Sequence, residues 1–578
     1  MQALNRVLRN LQTYWLIVSG AVISVLLLTV TNAITPQLFR LAIDRGITEK
    51  NLQVVLYSAG AMLLVAVGRG LFNFGQSFWA EKASQGVAYD LRNKIFDRIE
   101  NLSFSYHDRA QTSQLLTRIT SDVEQIRLFL GTSLVQVVSS IVTLLATSVI
   151  LILMNWRLAL ISLALVPLAA LILANFLIKN QKIFGLAQER LGDLNGVLQE
   201  NISGVRIVKA FVRESLEMSR YQAINRDLIH VNMRTISAIR NTFPFVFFLS
   251  NLITIAVVGY AGIEVINKRS TIGELVAFNT YLLFILQPIL LIGFAAPVIA
   301  QAAASAERIY EVIDTPIEIK DRQNAIPLKG CIGRISFENV QFRYPGSETF
   351  AIEGISFETK PNELIALLGM TGSGKSTIVN LIPRFYDVTE GAVRIDGCDV
   401  RDLQLSSLRS QIGVVLQETR LFSGSIRANI SYGLPNATLD QVIIAAKSAQ
   451  IHDFINDLPD GYDTVVAERG VGLSGGQRQR IAIARTLLTD YKLLILDDST
   501  SAVDAQTGRQ IQAALDDLMH LKKCTAFVIA QRISTVRYAD RIILMDKGHL
   551  IAQGTHEELM INSPLYGSIL ESQMQRGE

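Results

Sequence analysis

Six stretches of this sequence carry no Asp, Glu, Lys or Arg: Leu11–Phe39, Asn51–Gly68, Leu128–Trp156, Leu158–Ile178, Asn241–Ile263 and Leu275–Ala306. Each is near or above the roughly 20 residues a helix needs to cross a bilayer core of about 30 Å. One such stretch alone would fit a buried core helix. Six in succession, in a chain that is 49% apolar and only 18% charged, exclude an ordinary soluble enzyme. No such stretch follows Ala306. The expected fold is an α-helical polytopic membrane domain of six transmembrane helices, followed by a soluble domain. The first stretch is too long for the apolar region of a cleaved signal peptide and lacks a small-residue cleavage pattern, so it reads as a retained helix.

Orientation follows from the loops. The connections around Asp44–Lys50, Asn155–Arg157 and Glu264–Glu274 are short and carry few positive charges. Glu81–Arg127 and Lys179–Arg240 are long and rich in Lys and Arg, which places them in the cytoplasm. Arg6 and Arg9 put the N-terminus there too, and an even number of crossings returns the C-terminal domain to the same side. The expected location is the cell membrane, multi-pass, with the lipid bilayer as a partner. Cys331, Cys398 and Cys524 all fall in the soluble part; odd in number and widely spaced, they fit reduced thiols, not a disulfide frame or metal site. A net charge of +3 does not suggest nucleic acid as a partner.

Both long loops, in "VAYDLRNKIFDRIENL" and "LAQERLGDLNGVLQENI", repeat apolar residues at helical spacing with charges between them. They read as transmembrane helices continuing into the cytoplasm. Apolar helix gives way to Pro, Asn and mixed charge at "DTPIEIKDRQNAIPLKG". The expected division is a membrane domain at 1–315, a linker at 316–334 and a soluble domain at 335–578. Arg69, in "VAVGRGLFNF", is a charge inside an otherwise apolar helix. It could line a substrate path, but its depth near the inner headgroups favours snorkelling to lipid phosphate.

"ELIALLGMTGSGKSTIVNLI" reads as strand, glycine-rich turn, then helix. Gly369, Gly374, Lys375 and Ser376 fill the pattern G, four residues, then G-K-S. Thr371, Gly372 and Ser373 complete the loop and Thr377 follows it. Glycines let backbone N–H groups close around a phosphate, Lys375 neutralises the β/γ oxygens, and Ser376 offers a hydroxyl to Mg2+. The helix beginning there adds its positive end. In "KLLILDD" a buried strand ends at Asp497, whose carboxylate can hold the magnesium shell; the plainer role is a helix cap. Within "VGLSGGQRQRIAIARTLL", Ser474 precedes two glycines and a helix, a second anion site. ATP with Mg2+ is the expected cofactor.

LSGGQ between a phosphate loop and such a strand resembles the signature of ATP-binding cassette proteins. Six membrane helices followed by a cassette resemble a half-transporter of the ABC exporter class, over almost the whole chain. The resemblance implies that two cassettes pair head to tail, so that Ser474, Gly475, Gly476 and Gln477 serve the ATP of the other chain. It implies that Tyr344 in "FRYPG" stacks on adenine. Gln417 in "VVLQETRLFSGSI" would reach the magnesium and the attacking water. Glu468 in "AERGVG" would touch the membrane domain's loops, and Ser501–Asp504 would cross the dimer interface. Turns near Ser113–Gln125 and Ile202–Arg213 would be short coupling helices docking on cassettes.

Two positions depart from the family pattern. Asp498 stands where the family has the glutamate that polarises the hydrolytic water, and Gln531 in "FVIAQRISTV" stands where it has a histidine that contacts the γ-phosphate. Aspartate is one methylene shorter, so its carboxylate falls about 1 Å short, a misplacement that can cost roughly 100-fold in rate. Glutamine donates a hydrogen bond but cannot become a cation. The binding groups are intact while catalytic groups are altered. The expectation is a site that holds ATP and hydrolyses it poorly, resembling the degenerate half of heterodimeric multidrug or lipid exporters. Its partner would be a second half-transporter, and its substrate a small amphipathic or lipid molecule. The alternatives are a homodimeric exporter with working sites, or an ATP-gated channel or regulator. A leader-cleaving peptide exporter is disfavoured because membrane begins about ten residues into the chain.

Overall fold

The computed structural model describes residues 2–416, 419–467, 470, 472–497, 524–529, 536–537 and 539–574. The chain divides into two units. One holds Met1–Glu100 and Thr112–Thr315, the other Asn101–Gln111 and Pro316–Glu578.

The first unit is helical throughout. A short amphipathic helix α1 (Gln2–Asn10) buries Ala3, Leu4 and Val7. Long helices follow: α2 (Trp15–Leu41), α3 (Leu52–Asn101), α5 (Thr112–Met154), α6 (Trp156–Ser203), α8 (Glu214–Ile266) and α9 (Ile272–Asp314). Among the described residues, six helices are thus long and apolar enough to cross a membrane. α3 has 50 residues. At 1.5 Å per residue that is about 75 Å, more than twice a bilayer core. The helical periodicity of the two long loops therefore has a simple cause: they are the cytoplasmic continuations of membrane helices.

Tyr281 on α9 is fully buried, and its hydroxyl donates to the Ala33 carbonyl at 2.6 Å. Asp44 accepts from the Gly273 N–H at 2.8 Å and from the Thr271 hydroxyl at 2.6 Å, placing a carboxylate at the positive end of α9. Arg6 of α1 stacks on Tyr310 at 3.8 Å and pairs with Asp314.

The first cytoplasmic turn is not where the resemblance put it. It lies at Asn101–Gln111 and contains α4 (Phe104–Arg109), flanked by Ser103 and Ala110 in extended conformation. Ser113–Gln125 is already within α5. The segment "TSQLLTRITSDVEQ" is polar because it stands outside the bilayer, and its polarity imitates a turn. The second turn carries α7 (Val205–Ala210) between α6 and α8.

In the second unit an antiparallel sheet has strand order β2-β1-β4-β5, from β1 (Ile335–Phe342), β2 (Ile352–Glu358), β4 (Glu390–Ile395) and β5 (Cys398–Asp399). A six-stranded sheet runs β12-β11-β3-β10-β9-β6. Its members are β3 (Leu364–Gly369), β6 (Ile412–Val415), β9 (Leu493–Asp497), β10 (Thr525–Ile529), β11 (Arg541–Asp546) and β12 (His549–Gly554). A two-stranded pair, β7 (Gly424–Ser425) and β8 (Val465–Val466), completes the described strands. β3, β9 and β10 are parallel and covered on both faces, which is why "LIALL", "LLIL" and "TAFVI" are continuous apolar runs instead of alternating ones. The segment expected as a linker packs on this unit. Ile326 exchanges backbone hydrogen bonds with Asp402 and Gln404 at 2.9 Å, and Cys331 is buried.

Candidate nucleotide site

Open parallel sheets bind ligands beyond the carboxyl ends of their strands. β3 and β9 flank β10, and the register pairs Ile529 with both Leu367 and Asp497. The ends of β3 and β9 therefore stand one strand apart. β3 leads into the glycine-rich turn, and helix α10 (Lys375–Leu381) starts at its end.

Gly374 has φ +99°, and a Cβ there would lie 2.6 Å from Ile352 Cγ2 and 2.8 Å from the Ala351 carbonyl oxygen. Only glycine fits this turn. Lys375 is buried, and its ammonium donates to the carbonyls of Gly369 and Met370 at 2.8 Å and to Ser373 Oγ at 3.4 Å. The loop is curled round its own cation at a helix N-terminus, a cradle that fits a polyphosphate. Ser376 is exposed on the first turn of α10, while Thr377 faces inward and shares a 3.2 Å hydrogen bond with the Tyr344 hydroxyl. Thr371 and Gly372 form the exposed rim of the loop. Asp497 ends β9 half-buried.

An alanine at 374 would cost about 1–2 kcal/mol in left-handed backbone strain alone, before displacing Ile352. Gly374→Ala is expected to weaken nucleotide binding at least about tenfold, a loss of about 1.4 kcal/mol. Titration with a fluorescent ATP analogue checks this, and unchanged affinity would refute the assignment of the turn.

The second candidate anion site has a different foundation. Helix α11 (Gly475–Leu487) is capped by Ser474, whose Oγ accepts from the Gln477 N–H at 3.2 Å while Gln477 Oε1 accepts from the Ser474 N–H at 2.8 Å. Gln477 is thus engaged in a capping box, and Ser474 keeps its hydroxyl proton for another acceptor. Ser474 and Gly475 are exposed, and a Cβ on Gly475 would meet open space. Gly476 is buried behind them. The apolar face of α11 (Ile481, Ile483, Ala484, Leu487) belongs to one hydrophobic cluster, and that of α10 (Ile378, Val379, Leu381) to another. The two candidate phosphate-binding elements are therefore seated on separate cores.

Gln417, Glu468, Asp498, Ser501–Asp504 and Gln531 lie outside the described residues. Among the described residues no cluster of three His, Cys, Asp or Glu side chains forms. A magnesium ion held by one carboxylate, one hydroxyl and phosphate oxygens needs no such cluster.

The sequence reading missed the residues around α4. Phe104 lies against Phe385 with centroids 4.3 Å apart, the Tyr386 hydroxyl donates to Asp108, and Glu318 accepts from the hydroxyls of Ser103, at 3.1 Å, and Ser105. The available signal was the aromatic pair Phe385-Tyr386 just after α10. In the membrane unit, Arg69 lines a cavity of about 820 Å3 with Asn32, Asn73, Gln76, Gln136 and Gln287. Asn73, Gln76 and Ser77 share one face of α3 with Arg69, and that polar stripe turns toward neighbouring helices.

Residues 17–289 match the family described as the ABC transporter transmembrane region, and residues 352–501 match the ABC transporter family. The chain is 38% identical over 520 residues to the putative multidrug export ATP-binding/permease protein YgaD of Bacillus subtilis, covering 90% of this chain and 89% of that protein. It is 37% identical over 519 residues to the ATP-dependent lipid A-core flippase of Syntrophus aciditrophicus, covering 90% and 86%. Its fold matches the structure of a bacterial Atm1-family ABC exporter with ATP bound, at a TM-score of 0.83 and 30% identity over 96% of this chain and 98% of that one.

Proposed function

The chain belongs to the ABC transporter family as an exporter half-transporter, and from that premise we propose that it is the degenerate-site subunit of a heterodimer. It binds ATP with Mg2+ at its own phosphate loop, through Lys375, Ser376 and Asp497, and turns that ATP over slowly. Through Ser474, Gly475 and Gly476 it closes the competent site of its partner. Residues 1–315 serve as membrane domain, 316–334 as linker and 335–578 as cassette.

The observation that carries this reading is the split within one site. The cradle from Gly369 to Thr377 is complete, while Asp498 and Gln531 replace the glutamate and histidine of the family pattern. Placement of α10 and α11 on separate cores supports head-to-tail pairing, since each element can then face a different nucleotide. An aspartate is a competent base in principle, and a homodimer with two working sites is the second reading.

The substrate is an amphipathic drug or lipid leaving the cytoplasm or inner leaflet. Relatives named as a putative multidrug export protein and a lipid A-core flippase support this class, and so does the cavity, which sets Leu28, Phe284 and Leu291 beside Arg69 and its amide neighbours. MgATP chemistry supplies the driving force, and the chain's own residues bind the nucleotide and orient it.

Expressed alone in nanodiscs, the chain is expected to show little ATP turnover; co-purified with its partner half, turnover becomes robust. Strong hydrolysis by the pure homodimer would overturn the heterodimer assignment and favour the second reading.

A further inference from the structure

The cavity of about 820 Å3 in the first unit gathers polar groups from four helices: Asn32 of α2, Arg69 and Gln76 of α3, Gln136 of α5 and Gln287 of α9. Among the described residues, the Arg69 guanidinium has neither a carboxylate nor a hydrogen-bond acceptor. Glu81, which also lines the cavity, is already engaged: it accepts from Gln85 at 2.9 Å and from Arg127. Two buried amide oxygens, Asn32 Oδ1 and Gln76 Oε1, have no donor among the described residues. The wall therefore carries one unanswered cation and two unanswered acceptors.

Each of these groups names its complement. A guanidinium only donates, so it calls for an anion, and an unpaired charge within a membrane helix is costly unless a ligand answers it. An amide oxygen only accepts, and an occupant that displaces water from it without supplying a donor loses affinity. A primary ammonium carries three donors, enough for both oxygens, whereas a trimethylammonium carries none. Leu28, Phe284 and Leu291 on the same wall suit an apolar tail. Depth then selects among such amphiphiles. Arg69 stands about 25 Å along α3 from Leu52, at 1.5 Å per residue, close to the far edge of a bilayer core of about 30 Å. The phosphate of an inner-leaflet lipid lies at that level.

We propose that this cavity selects a lipid whose head joins a phosphate to a primary ammonium, a phosphoethanolamine head. Arg69 takes the phosphate, Asn32 and Gln76 take the ammonium, and the apolar wall takes the start of the acyl chain. The proposal rests on the reading of the chain as an exporter of amphiphiles and narrows its substrate class. Selectivity resides in the two amide oxygens: a phosphocholine head offers Arg69 the same phosphate but leaves both oxygens unmet.

The test titrates ATP turnover of the co-purified complex, in nonionic detergent, with lysophosphatidylethanolamine and with lysophosphatidylcholine of the same acyl chain. The first should half-saturate at a concentration at least about tenfold lower, because a site built to accept N–H donors rejects an analogue without them. Asn32→Leu with Gln76→Leu should bring the two lipids within about twofold of each other, which separates donor recognition from head size. Arg69→Gln should raise both half-saturating concentrations at least about tenfold, and Arg69→Lys should recover most of that loss. Photolabelling of Lys375's site by an ATP analogue controls for folding, and the comparison of lipids in the unaltered complex stands without any variant. Phosphoethanolamine without a tail should give no response at these concentrations; an equal response would overturn the assignment to a lipid. Equal half-saturation by the two lysolipids in the unaltered complex overturns the proposal, as does an unchanged titration in Arg69→Gln. A response to drug-like amphiphiles but to neither lysolipid also overturns it and leaves the exporter reading standing. If no amphiphile of any class alters turnover, the exporter reading itself has failed.

Discussion

A complex in which Ser474 is replaced by Arg is expected to lose ATP-driven transport, although every residue of this chain's own phosphate loop is untouched. Ser474 is exposed and the space beside Gly475 is open; in the proposed head-to-tail pairing this is the surface that would close on the partner's nucleotide. Arginine fills that space. It also cannot accept the Gln477 N–H, so α11 loses a cap worth about 1 kcal/mol and gains a cation at its positive end. Those costs are too small to unfold a cassette, whereas the loss at the shared site is expected to exceed about 100-fold, because a mispositioned phosphate forfeits the reacting geometry. Steady-state ATP turnover of the co-purified complex, with photolabelling at Lys375's site as a control, checks both halves of the statement. Turnover unchanged in Ser474→Arg would contradict the head-to-tail assignment.

The second large effect is a gain. Asp498→Glu together with Gln531→His is expected to raise hydrolysis at this chain's own site by up to about 100-fold, the range associated with a displacement of about 1 Å. Nucleotide affinity should stay unchanged, since Lys375, Ser376, Asp497 and Tyr344 are unaltered. The gain requires that the partner's signature close on this site, so the complex is prepared with a partner carrying an LSGGQ sequence. Phosphate release in rapid-quench experiments measures it. A repaired site no faster than the original would remove Asp498 and Gln531 as the cause of attenuation.

Much of the architecture was legible because its causes are local. Charge-free stretches must span a bilayer, and a strand followed by G-x-x-x-x-G-K-S and a helix is one continuous piece of chain. The helix start was legible as Ser474 before two glycines, whereas the reciprocal bond from the Ser474 N–H to the Gln477 amide oxygen was not read. The first cytoplasmic turn was misplaced because a helix outside the bilayer loses its apolar face and looks like a loop. Contacts such as Asp108 with Tyr386 join residues 278 positions apart, and no periodicity encodes them. The polar neighbours of Arg69 were not legible because one helix shows its depth but not what lies beside it; Asn32 and Gln287 come from other helices.

The central claim is that this chain's own site binds ATP and hydrolyses it slowly. Single-turnover hydrolysis in the co-purified complex tests it most directly, with the partner's catalytic glutamate replaced by glutamine so that only this site reports. The account predicts that ATP is bound stoichiometrically at Lys375 and converted to ADP about 100-fold more slowly than at the competent site of the unaltered complex. Conversion as fast as at the competent site would contradict it.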